Sequence, residues 1–137
     1  MTDLSMNSLT LCNAHVLHDR EFVSADIAIE NGRILAVGPH LGERTKGTKI
    51  DLEGARVSPG FLDLHMHGLH DKVCASSPLG EIAAIEARYG VTGFLPGMVF
   101  ARDHLPRMID IKRREAEAIR SAARCLGFYF EAPFIAF

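Results

Sequence analysis

Three polar residues stand at alternate positions in Ser58-Pro59-Gly60-Phe61-Leu62-Asp63-Leu64-His65-Met66-His67-Gly68: Asp63, His65 and His67. The residues between them are apolar. The segment therefore reads as a strand with Asp63, His65 and His67 on one face and Leu62, Leu64 and Met66 on the other. Two imidazoles at i, i+2 lie about 7 Å apart at Cα on a rise of ~3.3 Å per residue, and their rings can lean onto one ion. Such a pair suits zinc and other borderline divalent metals, with Asp63 placed to help position a ligand or its neighbours. Taken alone, His-x-His is a weak signal and more often marks a pair of half-buried strand histidines. Its position favours the metal. The pair ends the first strand of an α/β run, where such folds keep their active sites, and Gly68 permits a close turn over them.

Glu131 is the second candidate. It follows Gly127-Phe128-Tyr129-Phe130, and its apolar neighbours predict burial. A buried carboxylate is costly unless it is paired or bound to a metal, so Glu131 is either an ion-pair partner or a ligand. It closes its own strand on the same rim as the histidines. His70 and Asp71 lie just beyond the pair and read as solvated loop residues. His15, His18, His40 and His104 have no partner pattern. Met66 and Met98 read as core.

The elements that position these residues change character along the chain. Up to about Ser58 the pattern is all β. Leu9–Leu17, Val23–Ile29 and Arg33–Val37 read as strands, with Asn31-Gly32 a hairpin turn between the last two. Leu41 to Lys49 reads as a loop, and Lys49–Leu52 as a short strand. Beyond Gly60 strands and helices alternate, which predicts a parallel sheet. Phe61–His67 is the first strand. Ser77 caps a helix whose first residue is Pro78, with Ile82, Ile85 and Tyr89 on its apolar face and Gly90 at its C-terminal cap. Val91–Leu95 is the second strand, closed by Pro96-Gly97. Asp103 caps a second helix, with Pro106 in its first turn and Leu105, Met108, Ile109, Ala116, Ile119 and Ala123 near i, i+3, i+4 spacing on one face. Lys112, Arg113, Glu117, Arg120 and Arg124 form its solvated face. Phe128–Glu131 is the third strand. Two domains are expected, 1–58 and 59–137.

The chain has 137 residues, 47% hydrophobic and 23% charged, with a formal net charge of −2. This is the composition of a folded domain rather than a disordered chain, and it does not suit a polyanion partner. No nucleic-acid or membrane role is expected, and no secretory leader is evident, so the cytoplasm is the expected location. Cys12, Cys74 and Cys125 are too scattered for a disulfide framework and read as free thiols.

Pro59-Gly60-Phe61-Leu62-Asp63-Leu64-His65-Met66-His67-Gly68 resembles the first-strand motif of the amidohydrolase superfamily. Glu30-Asn31-Gly32-Arg33-Ile34-Leu35-Ala36-Val37-Gly38 resembles the N-terminal hairpin of the same enzymes. Gly90-Val91-Thr92-Gly93-Phe94-Leu95-Pro96 and Gly127-Phe128-Tyr129-Phe130-Glu131-Ala132-Pro133-Phe134-Ile135 are more selective. They resemble the second- and third-strand segments of the N-acetylglucosamine-6-phosphate deacetylases, with Tyr129 where the family has His and Ala132 where it has Gly.

The resemblance implies an α/β fold: the first three βα units of a (β/α)₈ TIM-type barrel, preceded by part of a small β-sandwich. It implies a metal-dependent deacetylase that releases acetate from an amino-sugar phosphate, with Glu131, His65 and His67 as metal ligands. One or two divalent ions, zinc foremost, are implied, and the full-length form is expected to be a homo-oligomer. The two later histidine ligands and the aspartate general acid/base of the family would lie beyond Phe137. No catalytic residue is therefore assigned here, and the 137-residue polypeptide is expected to be inactive alone. The alternatives are another amidohydrolase, such as a cyclic-amide hydrolase or nucleobase deaminase, and a non-catalytic truncated product.

Overall fold

The structure, a computed structural model, describes residues 8–99, 105–120 and 122–131. Asp103, His104, Ala132 and Pro133, named above, lie outside the described residues. The chain divides into two compact units, Met1–Pro59 and Gly60–Phe137.

The first unit is a single five-stranded sheet. β1 (Ser8–His18) pairs antiparallel with β2 (Glu21–Glu30), which pairs with β3 (Arg33–Gly38). On its other side β1 pairs in parallel with β4 (Thr48–Asp51) and β5 (Arg56–Val57). Both residues of the Asn31-Gly32 turn have positive φ, 50° and 72°, as a two-residue hairpin with right-twisted strands requires. Ala14, Val16, Ala25 and Ile27 form the core of this unit.

One feature of this sheet is not legible as a motif. The β1–β2 register slips between Leu11 and Ala14, and Asn13 at the slip has a φ of 54°. The Asn13 N–H donates to Asp26 Oδ1 at 2.9 Å. Oδ2 of the same carboxylate accepts from Gly42 N–H at 2.9 Å. Asp26 is thus buried, and it ties the bulge to the short helix α1 (Leu41–Arg44), where the sequence pattern predicts only loop. These backbone donors hold the Asp26 carboxyl below the usual carboxylate range.

The second unit has a parallel sheet with β9 (Val91–Met98) as its middle strand. β6 (Phe61–Met66) pairs with β9, as do β10 (Arg124–Cys125) and β11 (Tyr129–Phe130). Gly68–Leu69 (β7) and Lys72–Val73 (β8) make a small hairpin after β6. Helix α2 (Leu79–Arg88) leads into β9, and α3 (Leu105–Ala118) lies between β9 and β10 in the chain. Met66, Cys74, Leu79, Ile82, Ala83, Phe94, Met98 and Ala123 are the core. This is a partial (β/α) barrel preceded by extra strands, as the alternation of elements implies.

Several local expectations are corrected. The second strand does not stop at Leu95; it runs on to Met98, with Pro96 opposite Met66. Between Asp63 and Met66 the β6 register slips relative to β9, so the missing N–H of Pro96 falls where the ladder is already irregular. The third strand is two short pairings, β10 and β11, rather than one run from Phe128 to Glu131. Ser77 does not cap α2: its Oγ accepts the Val73 N–H, and Pro78 takes the cap position in extended conformation. Tyr89 is exposed, and the inner face of α2 is Leu79, Ile82, Ala83 and Glu86. Gly90, with a φ of 80°, closes the helix as expected.

Lys112 is the largest departure. Assigned to a solvated stripe, it is 2% exposed. Its Nζ donates to Ser77 O at 2.7 Å and to Glu115 Oε2 at 3.0 Å. The same Oε2 accepts the Leu79 N–H at 3.1 Å, so α3 supplies the partner that the uncapped start of α2 lacks. Among the described residues no helix is long and apolar enough to cross a membrane.

Candidate metal centre

His65 lies on β6, His67 directly after it, and Glu131 directly after β11. All three sit at the C-terminal ends of parallel strands, and β9 lies between the strands that carry them. Parallel strands end on one rim, so residues more than sixty positions apart in sequence arrive together. His65 Nε2 is 2.8 Å from Glu131 Oε1, His67 Nε2 is 3.0 Å from the same oxygen, and the two Nε2 atoms are 3.2 Å apart.

This triangle fits a metal. Tetrahedral bonds of ~2.0 Å place ligand atoms about 3.3 Å apart, close to the three observed edges. The donor set also suits the ion, with two imidazole nitrogens and one carboxylate oxygen. Without an ion, the two contacts to Glu131 are hydrogen bonds donated by the Nε2–H groups to the carboxylate, and metal uptake would displace those protons. The hydrogen bond from His65, followed by that from His67, holds the Glu131 carboxyl below the usual carboxylate range.

The two histidines are exposed at the rim, and Glu131 is partly exposed rather than deeply buried as its neighbours predict. Asp63 does not join them. Its Oδ1 accepts the backbone N–H of His65 at 3.1 Å, at the register slip of β6. It fixes the backbone from which His65 projects. His70 pairs with Tyr89 OH at 3.2 Å, away from the cluster.

Two further residues support the histidines. A Cβ on Gly97 would lie 3.1 Å from His67 Cε1 and 3.1 Å from Met66 O, so the bare backbone of β9 is what admits the His67 ring. Tyr129 packs its ring against His65, with centroids 4.4 Å apart. A groove of about 510 Å³ bounded by α3 and β10 shares no residue with the cluster.

No protein-family model matches the chain. In sequence it is similar to the 5-methylthioadenosine/S-adenosylhomocysteine deaminase of Thermococcus kodakarensis. The two are 33% identical over 100 residues, which cover 72% of this chain and 20% of the relative. It is similar to the adenine deaminase of Deinococcus radiodurans, 44% identical over 48 residues that cover 35% of this chain and 9% of that one. In structure it resembles the N-acetylglucosamine-6-phosphate deacetylase of Pasteurella multocida, with a TM-score of 0.74 at 19% identity, over 94% of this chain and 35% of that one. It also resembles a D-hydantoinase, with a TM-score of 0.67 at 24% identity, over 94% of this chain and 28% of the other. The chain thus spans about a fifth of the first relative and about a third of the first structure. The solved deacetylase and hydantoinase share one fold with this chain, while the sequence relatives are deaminases, so the similarity does not single out the deacetylase. In its partial (β/α) barrel and the strands that precede it, this chain has the fold seen in the matching part of these solved hydrolases.

Proposed function

We propose that this chain carries the metal-binding opening of an enzyme that hydrolyses a C–N bond in a small molecule. The observation that carries the reading is the meeting of His65, His67 and Glu131 within hydrogen-bond distance at one strand rim. His65 and His67 would hold a divalent ion, zinc foremost, through Nε2, and Glu131 through its carboxylate. Such an ion supplies Lewis-acid polarisation of the scissile group and lowers the pKa of water. Around it, Glu131 offsets positive charge, Asp63 fixes the backbone at His65, and Gly97 keeps room for the His67 ring.

Two substrate classes each have support. Hydrolytic loss of an amino group from a purine-type ring is favoured by the deaminases among the sequence relatives. Removal of acetate from N-acetylglucosamine 6-phosphate is favoured by the third-strand carboxylate Glu131 with its Pro133-Phe134 neighbours, and by the likeness to the solved deacetylase. In either case residues 1–58 are read as part of a β-sandwich and 59–137 as the opening of the hydrolase barrel.

The first test is metal uptake. Chelator-stripped chain is titrated with Zn²⁺ against a chromophoric competitor. One equivalent is expected to bind, with loss in His65→Ala and Glu131→Gln; equal uptake by wild type and both variants would remove the basis of the proposal. Ammonia release from an aminopurine against acetate release from N-acetylglucosamine 6-phosphate, assayed on the metal-loaded protein that carries this segment, separates the two substrate classes.

A further inference from the structure

We infer that Tyr129 is a positioning residue that holds the His65 imidazole in its ligating orientation; this rests on the reading of His65, His67 and Glu131 as a metal centre. Tyr129 lies on β11 two residues before Glu131, so strand alternation places both side chains on the face that meets the histidines. Its partner across the ladder is Gly97, the β9 residue that offers no side chain of its own. The phenol ring reaches His65, with centroids 4.4 Å apart and planes tilted by 44°. On the other contact the His67 ring meets His65 edge-on, with centroids at 5.1 Å and an angle of 64°. The His65 imidazole is thus in contact with two rings.

That restraint matters because the His65 side chain is 50% exposed. A half-exposed imidazole on a strand has several open rotamers, and only one points Nε2 at Glu131. Ordering it on metal binding has an entropic cost that a preorganised ring avoids. Outer partners that orient a ligand histidine usually act through a hydrogen bond to its second nitrogen. Here the contact is ring against ring. The ring of Tyr129, rather than its hydroxyl, is therefore the acting group.

The test compares Tyr129→Phe, which keeps the ring, with Tyr129→Val, which keeps a strand-compatible side chain and removes it. Zn²⁺ affinity is measured by competition, and Co²⁺ is used as a spectroscopic probe of the ligand set. Tyr129→Val is expected to bind Zn²⁺ about tenfold more weakly, in the range seen for outer-shell changes at metal sites. Its Co²⁺ absorption should change in shape or intensity, while Tyr129→Phe matches wild type in both. Circular dichroism melts report whether the fold is kept, and Tyr129→Leu serves as a second ring-less variant. Wild-type affinity and an unchanged Co²⁺ spectrum in the ring-less variants would overturn the inference. So would a Tyr129→Phe variant as weak as Tyr129→Val, since the hydroxyl would then be the acting group. A wild-type chain that takes up no Zn²⁺ refutes the metal centre itself and this role with it, an outcome distinct from binding that ignores Tyr129.

Discussion

Replacing Lys112 with Met tests how the second unit is held together. Methionine keeps the apolar stem and removes the ammonium. Two contacts disappear: Nζ to Ser77 O at 2.7 Å and Nζ to Glu115 Oε2 at 3.0 Å. A hydrogen bond made by a charged group contributes about 1.5–3 kcal/mol. Breaking a fully buried ion pair costs about 3–5 kcal/mol, because the partner charge is stranded. Glu115 is not stranded to that degree. Its side chain is 30% exposed and it retains the Leu79 N–H, so water takes over part of the solvation of the carboxylate. The expected loss is therefore about 2–4 kcal/mol, below the fully buried figure. With a urea slope of about 2 kcal/mol/M, the unfolding midpoint should fall by about 1–2 M at unchanged slope. The double variant Lys112→Met/Glu115→Gln should recover part of the loss, because it removes the unpaired charge as well. A midpoint shift of Lys112→Met below about 0.3 M, equivalent to roughly 0.5 kcal/mol, would refute the argument that this amine joins α3 to the start of α2.

Three further outcomes follow from particular contacts. The Asp26 carboxyl has its pKa lowered on folding, so its contribution is fully present above the ordinary carboxylate value of 3.8 and is lost as pH falls through the lower folded value. Asp26→Asn should therefore be less stable than wild type at pH 7 and show a flatter fall in melting temperature on acidification; parallel pH profiles would contradict this. Gly97→Ala should weaken Zn²⁺ binding roughly tenfold, because the Met66 carbonyl on one side of the new methyl is backbone and the His67 ring must yield. Affinity equal to wild type would show that the ring has slack. The Cys74 thiol is fully buried and pushed up to about 11 by loss of solvation. It should resist alkylation at pH 8 in the folded chain and react on denaturation, and rapid labelling of the native protein at Cys74 would count against this packing.

Some features were readable because local rules produce them. Asn31-Gly32 specifies a hairpin wherever two strands flank it. Alternation along Phe61–His67 places His65 and His67 on the same side of the chain. Gly90 ends a helix because it enters positive φ without a steric cost. The contrast with Lys112 is instructive: a lysine among arginines on a helix looks like solvent-facing charge until the neighbouring helix brings a bare carbonyl to it. Pro96 signals a strand end by its missing N–H, and only the slip of β6 beside it makes that absence harmless. Asp26 looks like a polar residue on an outward face until the bulge at Asn13 turns an unpaired N–H toward it.

At the site, strand alternation in the sequence determined that two imidazoles share a face, and a carboxylate after the third strand marked Glu131 as a candidate. That these three groups touch was decided by the parallel order of β6, β9 and β11, a long-range pairing with no local signature. The same order chose which residues stand behind them. Asp63, expected to help position a ligand or its neighbours, came to hold the backbone N–H of His65. Gly97 came to lie beside the His67 ring, and Tyr129, which stands where the resembled deacetylases have His, came to lie against the His65 ring. Local chain chemistry sets periodicity, turns and caps through interactions a few residues long. Which side chains become neighbours across the sheet depends on register, and register is settled only when the separate strands pack together.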